Sequence, residues 1–253
     1  MELKIYLKIV NKALLLSGKD IPFVGARTAI HQPRLWEIGL IGGEEKFLYG
    51  SQFLLFDKNT FLDPDKSDLE DKSNFYIFMA IMNNSESSIH KQGARDLLTL
   101  LFPQDTILFD KDKILLQRGE HSSEICEENF DEFQNIIREM FFSDSDQEKT
   151  DYDPADKLAS KIADKIKKGK SKAAKAKSQN KDEEMEYYTQ YASILAVGLK
   201  KDINDLMNYT VYQIKSEFKR FQAKTASDFY LKAKLAGAQD LEEVKDWMSE
   251  IHP

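Results

Sequence analysis

Apolar and polar residues alternate through Leu3, Ile5 and Leu7 with a period of two, the spacing of a half-buried strand. Leu35, Ile38, Leu40 and Ile41 follow as an apolar run that includes Trp36. Further on, Thr106-Ile107-Leu108-Phe109 and Lys113-Ile114-Leu115-Leu116-Gln117 are short β-rich runs divided by Asp110-Lys111-Asp112, which predicts a hairpin whose turn type no Asn-Gly or Asp-Gly pair fixes. Helical patterning covers Glu44 to Leu55, Asn74 to Met82 and Ser88 to Leu101, the last closed by Pro103. The clearest helix follows Cys126. Phe130, Phe133, Ile136, Ile137, Met140 and Phe141 recur on one face, and Asn129 with Glu132 has the spacing of a capping box.

The pattern then breaks. Ser143 to Glu148 is polar and acidic, and Asp153-Pro154 marks a turn or helix start. Lysines dominate from Lys157 to Lys177, with Leu158, Ile162 and Ile166 at four-residue intervals; the first half supports a narrow packing stripe and the second a solvated helix or tether. From about Glu183 the pattern is helical throughout: Tyr188, Tyr191, Ile194, Leu195, Val197 and Leu199 first, then Val211, Ile214, Phe218 and Phe221 behind a Thr210/Gln213 capping box. Gly237 suits a helix end, and Leu241, Val244 and Trp247 make a last short amphipathic turn. The expected fold class is therefore α+β. An amino-terminal α+β domain spans 1–142, a charged linker or helix spans 143–182, and an all-helical domain spans 183–253.

Composition changes this picture in two places. Sixteen Phe and ten Tyr in 253 residues give ample core material, so the mean hydropathy of -0.52 reflects surface charge rather than disorder. One cysteine, Cys126, allows no intrachain disulfide. The amino terminus lacks the order of a signal peptide, and the longest uncharged apolar stretch, Tyr191 through Leu199, falls short of the roughly 20 residues of a membrane helix. Together these lead to the expectation of a cytoplasmic protein without a membrane span.

No catalytic or metal motif stands up. Gly169-Lys170-Ser171 resembles the end of a phosphate loop, but Asp164 occupies the position that needs glycine. Asp63-Pro64-Asp65-Lys66-Ser67-Asp68 spaces carboxylates as a calcium loop does, yet puts Asp68 where the turn requires glycine. His121 near Cys126 has no further ligand: His31, His90 and His252 are scattered. The expected protein is not an enzyme and has no metal or cofactor. Lys157 to Lys177 carries nine lysines and one acid, a net +8, but the whole chain is at -7, so the remainder is near -15 and repels phosphate. The lysine stretch also lacks arginine and aromatic groups, and the balance is against nucleic acid.

What remains is protein binding. Candidate contact residues are the two aromatic stripes, Phe130, Phe133, Ile137 and Phe141, then Val211, Ile214, Phe218 and Phe221, with Trp247. The competing reading, that such stripes pack within their own domain, is the commoner fate of an apolar helix face.

The run from Glu128 through Phe141, Asp151-Tyr152-Asp153-Pro154-Ala155 before the lysine-rich stretch, and Met207 through Ile214, Glu217 through Phe221, Lys232 through Ala238 and Asp246-Trp247-Met248 carry a resemblance. Together they resemble proteins from the tail-morphogenesis region of long-tailed bacteriophages of Gram-positive bacteria, among them tail assembly chaperones. The resemblance covers the last half of the chain and the helix before it. It implies a chaperone that binds the phage tape-measure protein and tail-tube protein in the host cytoplasm, with copies of itself as a further partner. A permanent tail or baseplate component of the virion, and a DNA-binding phage protein using the lysine segment, are the alternatives left open.

Overall fold

The computed structural model describes residues 12–55, 57–58, 71–84, 88–141, 187–238 and 247–248. The alternating residues at Leu3 to Leu7, the loop at 63–68, the lysine-rich segment and most of the final turn at 241–247 lie outside them. Strands β1 (Ile21–Phe23) and β2 (Thr28–Ile30) pair antiparallel with Ile21 opposite Ile30, joined by a 3-10 turn over Val24–Ala26. Helices α1 (Leu35–Leu40), α2 (Glu44–Leu54), α3 (Asn74–Asn83) and α4 (Ile89–Leu101) follow. A three-stranded antiparallel sheet comes next, in the order β3 (Thr106–Phe109), β4 (Ile114–Arg118), β5 (His121–Ile125), and runs into α5 (Glu127–Phe141). The carboxyl-terminal helices are α6 (Tyr187–Leu199), α7 (Ile203–Met207) and α8 (Val211–Leu235). The fold is mixed α+β.

Local chemistry explains most of these boundaries. The Ser73 and Ser88 side chains accept hydrogen bonds from the Tyr76 and Lys91 backbone N–H groups, capping α3 and α4. The hairpin forms as expected: Phe109 pairs with Ile114, and the Asp110 N–H donates to the Lys113 carbonyl at 2.9 Å. Thr210 and Gln213 close a reciprocal capping box on α8. Gly237, at φ 86°, ends the same helix, and the Ala238 N–H returns to the Ala233 carbonyl.

Asn129 and Glu132 do something else. Helix α5 begins before them, at Glu127, so their spacing is not a reciprocal cap. The Glu132 carboxylate instead accepts from the Val24 and Gly25 N–H groups at 3.2 and 3.1 Å. Asn129 accepts from the Cys126 N–H and donates to the Gly25 and Glu124 carbonyls. Glu132 thus binds the turn between β1 and β2, while Asn129 joins its own helix end at Cys126 to that same turn.

One apolar core serves both ends of the chain. It contains Phe23, Phe47, Phe78, Phe102, Phe130 and Phe133 from the first part, and Tyr188, Leu195, Leu206, Val211 and Ile214 from the last. Backbone and side-chain bonds cross between the two parts: Leu35 N–H to the Tyr209 carbonyl at 3.0 Å, Gln213 Nε2 to the Leu16 carbonyl at 2.8 Å, and Lys215 Nζ to the Phe141 carbonyl at 2.6 Å. Residues 1–143 and 186–253 accordingly form one compact unit, and residues 144–185 lie outside the described residues. This corrects the expectation of two separate domains at 1–142 and 183–253. The physical reason is size: α6 and α8 each bury only three side chains, too few for a core of their own, and they complete the amino-terminal one.

Candidate functional site

The two aromatic stripes meet different surroundings from those a binding face needs. On α5, the Phe130 ring lies 5.0 Å from Phe75 and 5.4 Å from Phe78, and Phe133 lies 5.9 Å from Phe23. Phe141 meets Phe47 edge-on at 4.8 Å, and Ile137 is fully buried. Val211 and Ile214 at the start of α8 are buried as well. These six residues are core and present nothing to a partner, which corrects their assignment as contact residues. An amphipathic helix loses most free energy by sealing its apolar face against its own chain, where no association entropy opposes the contact. Phe218 and Phe221 are half-buried: Phe218 stacks on Tyr191 at 4.1 Å, and Phe221 crosses the helix at Gly198. Trp247 is half-exposed, and its carbonyl accepts from the Arg220 guanidinium.

Helix α6 is held from its amino-terminal end. The Glu44 carboxylate, itself in the first turn of α2 and buried, accepts from the Tyr188 N–H at 2.8 Å and from the Thr189 N–H and hydroxyl at 2.7 and 2.9 Å. One carboxylate therefore faces two helix amino termini, where the partial positive charge of each favours it. Burial pushes the neighbouring Tyr188 phenol well above its usual value, so the ring stays neutral beside this carboxylate. Replacing Glu44 with alanine strands two helix N–H groups, and we expect a loss of about 2 kcal/mol. Hydrogen exchange should locate that loss in residues 187–199; unchanged protection there would show that the cap carries no weight.

The register of α6 on α8 shows where covering stops. Lys215 sits over the Tyr188 ring, Tyr191 stacks on Phe218, and Gly198 meets Phe221, so both helices run in the same direction. Helix α6 ends at Leu199, but α8 continues from Phe221 to Leu235, about four more turns or roughly 21 Å. This overhang exposes large apolar side chains: Phe229 is 72% exposed, Leu231 53% and Leu235 88%. The neighbouring α6 carries no charged residue, and its outer side exposes Ile194 and Val197. A helix apolar on both sides ordinarily has something against each of them.

The sequence did not single out Phe229, Leu231 or Leu235. Their signal was the failure of the stripe: Thr225 and Lys232 interrupt the series that Val211, Ile214, Phe218 and Phe221 begin. Elsewhere, burial pushes the Cys126 thiol up, opposite to the shift that makes a thiolate nucleophile, with Glu128 beside it. Among the described residues no group of three or more His, Cys, Asp or Glu could hold a metal ion, and no helix is long and apolar enough to cross a membrane.

This overhang belongs to a part of the chain that recurs elsewhere. Residues 179–252 match the family described as the YomV second domain. YomV is a Bacillus phage protein, and the match links α6, α7 and α8 to phage proteins. The amino-terminal core that α6 and α8 complete lies outside the matched span. No curated protein and no solved structure matches the chain.

Proposed function

We propose that this is a phage protein that works by binding other polypeptides rather than by catalysis, and that it acts in the host cytoplasm as a tail assembly chaperone. The observation that carries the binding reading is the uncovered end of α8, with Phe229 and Leu235 in solvent on a helix whose first half is packed. Phe229 and Leu235 leave this helix about 120° apart, and large apolar side chains exposed on two sides of a projecting element support an interaction site there. The phage-linked YomV segment contains that end of α8, which ties the binding surface to the phage context. The tail-specific part rests on the resemblance carried by Glu128 through Phe141 and by the carboxyl-terminal runs. The clients it implies are the tape-measure protein and the tail-tube protein.

Binding to such clients is helix recognition in which an apolar face is covered reversibly. The test is co-expression of the full chain with the tape-measure protein or the tail-tube protein of the same phage, followed by affinity purification. We expect one of them to co-purify and purified particles to lack the chain by mass spectrometry. Clients that remain soluble and pass through alone would remove the chaperone reading, and stoichiometric chain in particles would replace it with a virion role.

A further inference from the structure

We infer that the amino-terminal part of the chain carries a docking site for helices α6–α8, centred on Glu44 and Phe47, that recognises them as a separate polypeptide and needs no peptide connection to hold them. This goes beyond the client-binding reading and stands apart from it, because it concerns the buried side of these helices and not the uncovered end of α8.

Every contact that seats the helices is one that two chains can make. The Glu44 carboxylate accepts from the Tyr188 N–H at 2.8 Å and from the Thr189 N–H and hydroxyl at 2.7 and 2.9 Å. The Leu35 N–H donates to the Tyr209 carbonyl at 3.0 Å, and Gln213 Nε2 donates to the Leu16 carbonyl at 2.8 Å. The apolar part is Tyr188, edge-on to Phe47 at 6.0 Å, with Leu195, Val211 and Ile214 buried. Polar points fix the register and apolar side chains supply the driving force, the division of labour found where two proteins meet.

The two ends of the connection lie side by side. Phe141 and Tyr188 both rest against the Phe47 ring, at 4.8 and 6.0 Å. Lys215 spans the same place, its ammonium 2.6 Å from the Phe141 carbonyl and 5.4 Å from the centre of the Tyr188 ring. The chain thus leaves the core at Phe141 and re-enters beside it, although residues 142–186 intervene in sequence. A break between these ends removes no contact among the described residues.

The family match points the same way. Its span, 179–252, holds the three helices and none of the surface that receives them. Helices α6 and α8 bury too few side chains for a core of their own, so they need a surface to complete them. The affinity of that surface can be bounded. A folded domain stays shut by at least about a thousandfold, and a covalent connection supplies a local concentration of about 1 mM. Without the connection, the Kd is then about 1 μM or tighter.

The test uses the full chain with a Gly/Ser insertion carrying a site-specific protease sequence between Ser143 and Asp144. After cleavage the two pieces should elute together from gel filtration at about 10 μM, above the expected Kd. Cleaved protein with a fluorescent amino-terminal piece is then mixed with cleaved protein tagged at its carboxyl terminus, and both are unfolded in urea and refolded together. The tag should capture the fluorescent piece, because the site accepts helices from another molecule. Glu44→Ala should weaken the association by about tenfold or more, since it strands two helix N–H groups. Val197→Ser, on the outer side of α6 at 82% exposure, should leave it unchanged.

Pieces that separate on cleavage while the uncut chain is folded and monomeric overturn the inference. So does an inserted chain that fails to fold before it is cut, since the two ends would then depend on their connection. Co-elution without capture by the tag makes the helices a fixed part of the core and overturns it as well. Association that Glu44→Ala leaves as tight, or that Val197→Ser weakens as much, removes the site from Glu44 and Phe47.

Discussion

Gly50→Ala is expected to destabilise the fold by about 3 kcal/mol or more, although alanine is the better helix former by about 1 kcal/mol. Helices α2 and α4 cross at Gly50 and Gly93. A Cβ at position 50 would lie 2.4 Å from the Gly93 carbonyl oxygen and 2.7 Å from its carbon, so relief requires the two backbones to separate. No rotamer change can absorb such a contact. Separation would also loosen Leu54, Leu97 and Leu98, which this crossing buries, and the loss therefore exceeds that of a single overpacked methyl group.

Gly93→Ala is the milder partner, because its Cβ would meet the Gly50 nitrogen and the Lys46 carbonyl oxygen at 3.0 Å. Gly39→Ala is the control. No atom lies within 4 Å of the Cβ position at Gly39, inside α1, so alanine there should be neutral or stabilising by about 0.5–1 kcal/mol. Urea denaturation of the three variants checks the order. Equal stability of Gly50→Ala and Gly39→Ala would show that the helices do not approach as closely as described.

The sequence made local structure legible because local structure is decided locally. Ser88 and Thr210 cap the helices that their positions announce, Gly237 ends one, and Asp110 to Lys113 close the hairpin. What it hid depends on residues far apart in the chain. Glu132 reaches Val24, Gln134 donates to the Leu54 carbonyl, and Glu44 caps Tyr188; no periodicity within a window reports such pairs. The same limit explains the domain boundary. A charged stretch after Phe141 does mark a break in pattern, but a break in pattern does not say whether the helices beyond it return to the core they left. The proposed binding surface was hidden for a related reason. A regular apolar stripe advertises burial, whereas the exposed residues of α8 stand where that stripe becomes irregular.

Phe133→Ala separates these two kinds of apolar residue most sharply. Phe133 is 0% exposed, and its ring touches those of Phe23, Phe102 and Phe130. Truncation leaves a cavity between α5 and its neighbours and should remove about 3–5 kcal/mol, more than any exposed position can. Client binding by whatever fraction stays folded should be unchanged, because the partner never meets this ring. Leu235→Asp reverses the pattern: at 88% exposure it should cost less than about 0.5 kcal/mol, yet weaken binding. Stability from urea denaturation, set against binding measured on folded protein, decides between them. If Phe133→Ala instead left stability intact and abolished binding, the stripe on α5 would be the contact surface, and the overhang of α8 would lose its claim.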